Sequence, residues 1–175
     1  MKLIKEFGPF LKKDMIEILN DIPSAIIVGL LFALMVLMVY RFFKGVWNWK
    51  LSVVVFFLIG YVAVVIEIAY LSRNPGSRIG LSLGLGDTWG ATPRAQAYVI
   101  ENILMYIPFG IIFPLLGKRA SYWCIPVALG SSVLLEAAQW ITQRGYCQLD
   151  DVVANTLGAL IGALVWALAT RLPIG

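Results

Sequence analysis

Five apolar runs of about twenty residues each, separated by short polar punctuation, organise this chain. About twenty apolar residues is the length an α-helix needs to cross the hydrocarbon core of a bilayer, where a spanning segment must satisfy its own backbone. The pattern predicts spans at Ile22–Phe43, Leu51–Leu71, Tyr98–Leu116, Tyr122–Thr142 and Asp151–Leu172. Asn20 or Asp21 is the expected cap of the first span, with Pro23 near its first helical position, where a missing N–H costs little. Lys44, Trp47, Trp49 and Lys50 then make a short loop at headgroup depth. Ahead of the first span, Met1–Asp21 interleaves Lys2, Lys5, Lys12 and Lys13 with Leu3, Ile4, Phe7, Phe10 and Leu11, the pattern of an amphipathic segment lying in the interface. No small-residue cleavage site follows the first apolar run, so it reads as a retained span. The expected fold is an all-α integral membrane protein. It is a bundle of about five transmembrane helices with an N-terminal amphipathic interfacial segment at 1–21, all in one domain over 1–175.

Composition strengthens this reading. Sixty per cent of the 175 residues are hydrophobic and 14% are charged, and the mean hydropathy is +0.84, outside the ordinary soluble range. The net charge of +4 would raise the question of nucleic acid in a soluble domain. Here the Lys and Arg sit beside apolar runs, so the expected partner is membrane lipid and no nucleic acid. Histidine is absent, which removes the commonest general base and metal ligand, and two separated cysteines cannot make a zinc or iron–sulfur set. No metal and no cofactor is expected. Cys124 and Cys147 bracket a span about 30 Å long, too far apart for a disulfide.

Against that background, ionisable and amide groups at membrane depth stand out, because they are costly there. Glu67 lies near the end of the second span, at the unfavourable end of the helix dipole. It pairs with Arg73 or Arg78, or reaches to the interface. Glu101 and Asn102 are adjacent in the third span and project roughly 100° apart, so they do not point at one partner. Pro108 and Gly110 predict a kink there. Ser132, Glu136, Gln139 and Gln143 recur at helical spacing as one polar stripe, which in so apolar a segment faces the bundle interior or a wet cavity. The alternative is a helix–helix hydrogen bond with no further role. Asp150 reads as the cap of the fifth span. Asp151 and Asn155 share a face with Gly158 and Gly162, and Ala154, Gly158 and Gly162 have the spacing that lets another helix approach closely.

The longest loop, Ser72–Ala97, is glycine-rich and carries Arg73, Arg78 and Arg94. Leu81, Leu83 and Leu85 alternate with small residues, as in a short extended or re-entrant piece. Gly84 and Gly86 do not open a dinucleotide fingerprint, because Trp89 occupies the third glycine's place. The arginines are candidates for bidentate contacts to phosphate or carboxylate, or are plain solvated charge.

NILMYIPFG, Glu136-x-x-Gln139, Arg144 and the run D-D-V-x-x-N-T-x-G-x-x-x-G together resemble the VanZ-like family of membrane proteins, over a core region of 73–162. The family pattern falls on Asn102, Pro108, Phe109, Gly110, Glu136, Gln139, Asp151, Asn155, Gly158 and Gly162. The resemblance implies a multi-pass bacterial cell-membrane protein. For a few members it implies low-level resistance to glycopeptides such as teicoplanin, and for most it implies no settled biochemical activity.

The long loop and the turn before the fifth span are separated by two spans, so they fall on one membrane side. There they gather a polar face of Arg73, Arg78, Glu101, Asn102, Gln139, Arg144, Asp150 and Asn155 as ligand-binding candidates, with Glu136 and Asp151 as candidate catalytic carboxylates. Three functions are compatible with it. One is a binding or modulating protein for a lipid-linked or peptidoglycan-type precursor, or for the glycopeptide itself. A second is an intramembrane enzyme on a polyprenyl-phosphate or phospholipid, with Glu136 or Asp151 as general base. The third is a small proton-coupled carrier, ranked last because the internal repeat common in carriers is missing. The raw count of basic residues favours an amino terminus and polar face inside the cell; with the loop arginines functional and the amino-terminal segment lying flat, the short loops Arg41–Lys50 and Lys118–Arg119 become the better signals, and the expected orientation has the polar face outside.

Overall fold

In the computed structural model, which describes residues 2–89 and 92–171, five long helices form the bundle. They are α1 (Lys2–Lys44), α2 (Trp49–Ile66), α3 (Pro93–Ile112), α4 (Lys118–Ile141) and α5 (Leu149–Arg171). Five stretches are long and apolar enough to cross a membrane, Ile22–Lys44, Trp49–Leu71, Pro93–Leu116, Lys118–Ile141 and Leu149–Arg171. Each expected span is therefore present, and the chain is a multi-pass membrane protein. The first helix differs in one respect: it passes through Asn20–Pro23 rather than starting there, so neither Asn20 nor Asp21 is its cap. Met1 and the side chains of most of 2–21, on which the interfacial reading of 1–21 rests, lie outside the described residues.

Two helices end in altered turns. α2 runs into a π-helical turn at Glu67–Leu71, where the Ser72 N–H reaches back to the Glu67 carbonyl (2.8 Å). The α-helical run of α3 carries through Pro108 and gives way to a 3₁₀ turn at Phe113–Leu116, which holds Pro114 in its first turn. α4 ends earlier than the polar stripe predicts. Gln143 lies beyond its last residue, exposed, at φ 55°. Arg144 N–H donates to the Gln139 carbonyl (2.9 Å) and Gln143 N–H to that of Trp140 (3.2 Å). This pair of bonds around a left-handed residue is a Schellman closure, so Gln143 terminates the helix instead of extending its buried face.

The long loop is extended where leucines alternate with small residues. β1 (Leu81–Ser82) pairs in parallel with β2 (Cys147–Gln148), and an isolated bridge joins Arg78 to Arg144. The pairing joins the loop before α3 to the turn before α5, as their shared membrane side requires. Both cysteines are free, Cys124 being buried in the helix core with Tyr106, Phe109, Ala128 and Ala159.

The core of the bundle is the crossing of α3 and α5, and glycine makes it possible. A Cβ on Gly158 would lie 2.1 Å from the Ile103 carbonyl oxygen, one on Gly162 2.1 Å from that of Ile107, and one on Gly110 2.1 Å from that of Ala159. The small-residue spacing of Ala154, Gly158 and Gly162 thus brings two backbones into contact, the usual source of helix association in lipid. Gly110, expected to mark a kink, belongs to the same contact. A methyl at Gly158 must push α3 away from α5. Gly158→Ala is therefore expected to destabilise the bundle by about 1–3 kcal/mol, seen as a lower Tm of the purified protein in detergent.

Candidate functional site

A cleft of about 980 Å³ lies between α2 and α3, with the long loop and the start of α5 closing one end. Its polarity follows depth. Along α3 the lining residues Arg94, Tyr98, Glu101, Met105 and Pro108 recur at i, i+4, i+7, i+11 and i+14, one helical face about 20 Å long. Charge sits at the loop end, and thioether and proline lie deeper. The facing wall of α2 is apolar, with Val64, Val65, Ile68 and Ala69, and carries the Tyr61 hydroxyl far from the loop. Arg73, Arg78 and Thr88 from the loop, and Gln148 and Asp151 from the segment entering α5, complete the polar end.

The side chains behind that end are committed to main-chain groups. At the π-turn that closes α2 and just past it, two residues at and beyond the end of α4 supply donors to main-chain carbonyls. Gln139 Nε2 donates to the Ala69 carbonyl (2.8 Å). Arg144 donates through one nitrogen to the carbonyls of Tyr70 (3.2 Å), Leu71 (3.3 Å) and Arg73 (2.9 Å). Its guanidinium also stacks over the Tyr70 ring at 4.9 Å. A cation on the last carbonyls of a helix meets the negative end of the dipole. Glu136, only 3% exposed, accepts the Gln148 N–H of β2 through Oε2 (2.9 Å).

Asp150 does not cap α5, which begins one residue earlier at Leu149. Its carboxylate reaches across to the loop, Oδ1 accepting the Gly86 N–H (2.7 Å) and Oδ2 the Thr88 N–H (2.8 Å). Gly86 adopts φ +88°, a conformation that suits glycine. Asn155, 1% exposed, donates to Ser132 Oγ (2.8 Å) and so ties α5 to α4.

Charge at the cleft end centres on Arg73. Burial lowers its guanidinium from the ordinary value and Arg78 pulls the same way, while Glu136, Asp151 and Tyr98 pull it back up. An arginine stays charged through such shifts, so Arg73 acts as a fixed cation between two acids. Gly145 is packed behind it, where a Cβ would come within 2.8 Å of both the Arg73 guanidinium and the Gln139 amide oxygen. Asn102 lies against Asp151, whose buried Oδ1 has no hydrogen-bond partner among the described residues. Burial pushes the Cys147 thiol up, with Glu136 and Asp151 adding to the shift, so Cys147 is a protonated small side chain rather than a nucleophile. Among the described residues no group of His, Cys, Asp and Glu could hold a metal ion.

The residues singled out by sequence thus divide into two sets. Arg73, Arg78, Glu101, Asn102 and Asp151 line the cleft. Glu136, Gln139, Arg144, Asp150 and Asn155 are not among its lining residues and brace the structure behind it. Glu101 and Asn102 face the same cleft despite their 100° separation, because the cleft is wide enough to wrap that side of α3. Tyr98 and Tyr61 were not singled out, and Arg94, named among the loop arginines, was left out of the site set, although its helical spacing with Tyr98 and Glu101 was a readable signal.

The bracing role of Glu136 makes a testable distinction. Glu136→Gln keeps an acceptor for the Gln148 N–H and is expected to fold as the parent does. Glu136→Leu orphans that amide and is expected to lose about 1–3 kcal/mol, read as the difference in Tm between the two variants in detergent.

A family profile described as VanZ/LLP1 matches residues 28–170. A curated relative, "Protein VanZ" of Enterococcus faecium, is 28% identical over 76 residues, which cover 42% of this chain. The match spans 46% of that relative's own length. No solved structure matches the chain. With the profile covering most of the chain, from within the first span to the end of the fifth, the chain belongs to the VanZ/LLP1 family.

Proposed function

We propose that this chain is a membrane-embedded binding protein that takes an amphiphilic, lipid-linked cell-envelope ligand of the peptidoglycan-precursor type into the α2–α3 cleft. The observation that carries this reading is the fall in polarity along the cleft, from Arg73, Arg78 and Arg94 at the loop end to Val64, Val65 and Met105 deeper in. Arginines offer planar donor pairs to a phosphate, and an apolar slot between helices accepts a chain that would otherwise lie in lipid. The volume is at the upper end for ligand sites, which run to about 1,000 Å³.

The alternative is an intramembrane enzyme on a polyprenyl-phosphate or phospholipid. Asp151 favours it, because this carboxylate lines the cleft and one of its oxygens is unpartnered. Glu136 favours binding instead, because it is spent on a backbone N–H behind the wall. A glycopeptide such as teicoplanin is a further candidate occupant, and low-level resistance would follow from such a role. The cleft mouth is placed outside the cell in this reading.

The deciding experiment incubates the purified protein in nanodiscs with a polyprenyl-phosphate-linked sugar and follows both retention and products by mass spectrometry. Saturable retention of unchanged ligand is expected, with Arg78→Gln/Arg94→Gln weakening it about tenfold or more. A new product mass supports the enzyme instead, and absence of retention overturns both.

Orientation has its own test. In a Cys147→Ser background, Ser77→Cys is expected to react with a membrane-impermeant maleimide on intact cells. Lys118→Cys, at the opposite ends of the spans, is expected to react only after permeabilisation. The reverse pattern places the cleft mouth in the cytoplasm.

A further inference from the structure

The polar end of the cleft mixes two kinds of group. Arg73, Arg78 and Arg94 present only donors. Asp151, beside Arg73, presents acceptors when ionised and lines the same space. A bare phosphate would meet the arginines but also this carboxylate, which like charge disfavours. A purely cationic head would have the converse problem. Both kinds of group are served by an anion with a hydrogen-bond donor a few bonds away from it.

Asp151 makes the second kind concrete. Asn102 hydrogen-bonds its carboxylate and Arg73 lies close by, yet its buried Oδ1 has no hydrogen-bond partner among the described residues. A buried acceptor left unmade is costly. The terminal torsion of an aspartate is broad, so a small rotation turns this oxygen toward a donor entering the cleft. One oxygen of a cleft-lining carboxylate is therefore short of a partner.

Resting on the reading of the cleft as a lipid site, we infer that it selects lipids whose phosphate ester carries an N–H or O–H donor, the phosphate on Arg78 and Arg94 and the donor on Asp151. A phosphoethanolamine head and a phosphate-linked sugar share this chemistry, the first from a bulk phospholipid and the second from a lipid-linked carrier. A phosphocholine head is the informative counter-example, having the same phosphate and the same charge but no N–H.

The test is native mass spectrometry of the detergent-purified full chain with equimolar phosphatidylethanolamine and phosphatidylcholine of identical acyl chains. Phosphatidylethanolamine is expected to be retained about tenfold over phosphatidylcholine, the ratio that one charged hydrogen bond supports. A polyprenyl-phosphate-linked sugar is added in a third arm. If it displaces bound phosphatidylethanolamine at lower concentration than phosphatidylethanolamine displaces it, the carrier is the preferred source, and the reverse assigns the phospholipid. Asp151→Ala, which removes the acceptor, is expected to bring the ratio close to one while phosphate lipids are still retained, and Asp151→Glu to preserve it. Equal retention of the two phospholipids by the parent chain, or an unchanged ratio in Asp151→Ala, overturns the selectivity while leaving lipid binding intact. Retention of no phosphate lipid at all overturns the lipid site itself. Should Asp151→Ala fail to fold, the parent ratio together with Asp151→Glu decides.

Discussion

Backbone that leaves the helical conformation next to a bilayer must find other partners, and this one requirement shapes the polar half of the molecule. Helical segments satisfy themselves, but the π-turn ending α2, the loop at 72–89 and the turn at 142–148 do not do so fully. Gln139, Arg144, Glu136 and Asp150 each meet main-chain groups in those segments. Their pattern of charge is matched to it: amide and cation go to helix C-terminal carbonyls, and carboxylates go to loop and strand N–H groups. Remove these four and the segments that form the cleft's closed end keep their short strand pairing but lose their ties to the helices.

The same constraint explains why so many polar residues crowd one region without all touching a common space. A side chain that caps a carbonyl is not free to grip a ligand. The cleft is lined by a different set, Arg73, Arg78, Glu101, Asn102 and Asp151 among them, and held in shape by those that meet the main chain. The close α3–α5 crossing at Gly110, Gly158 and Gly162 contributes the rigid side of this arrangement. α2, set across the cleft from α3, contributes the apolar wall.

Much of this was legible in the chain. Five spans followed from apolar length, and the glycine spacing on α5 announced its close neighbour, because both signals are local and periodic. Asp150 was misread for a physical reason: an acid at the start of a helix is the usual cap, and nothing nearby in sequence reveals loop amides some sixty positions away (62 for Thr88). Gln143 was counted into the stripe because spacing alone does not show a helix ending two residues short of it, at Ile141, and closing on a left-handed residue. The partition of Glu136 from Asp151 was equally hidden. Both are acids on buried faces, and only the path of β2 decides which of them meets a backbone N–H. Arg94 was the reverse case, readable from its spacing with Tyr98 and Glu101 yet submerged among loop residues.

The parallel pairing of the long loop with the turn before α5 has a consequence for how chain length can vary. Arg78 with Arg144, Leu81 with Cys147 and Ser82 with Gln148 hold one register throughout. A residue gained or lost between 78 and 82, or between 144 and 148, would slide one strand past the other and turn its side chains to the opposite face. It would also carry Gln148 away from Glu136. The Ser82 hydroxyl donates to Asp87 (2.8 Å) and Gly86 and Thr88 are held by Asp150, so the register extends its hold past the strand itself. Length in this loop is therefore fixed from Arg78 to Thr88 by contacts made far away in the chain.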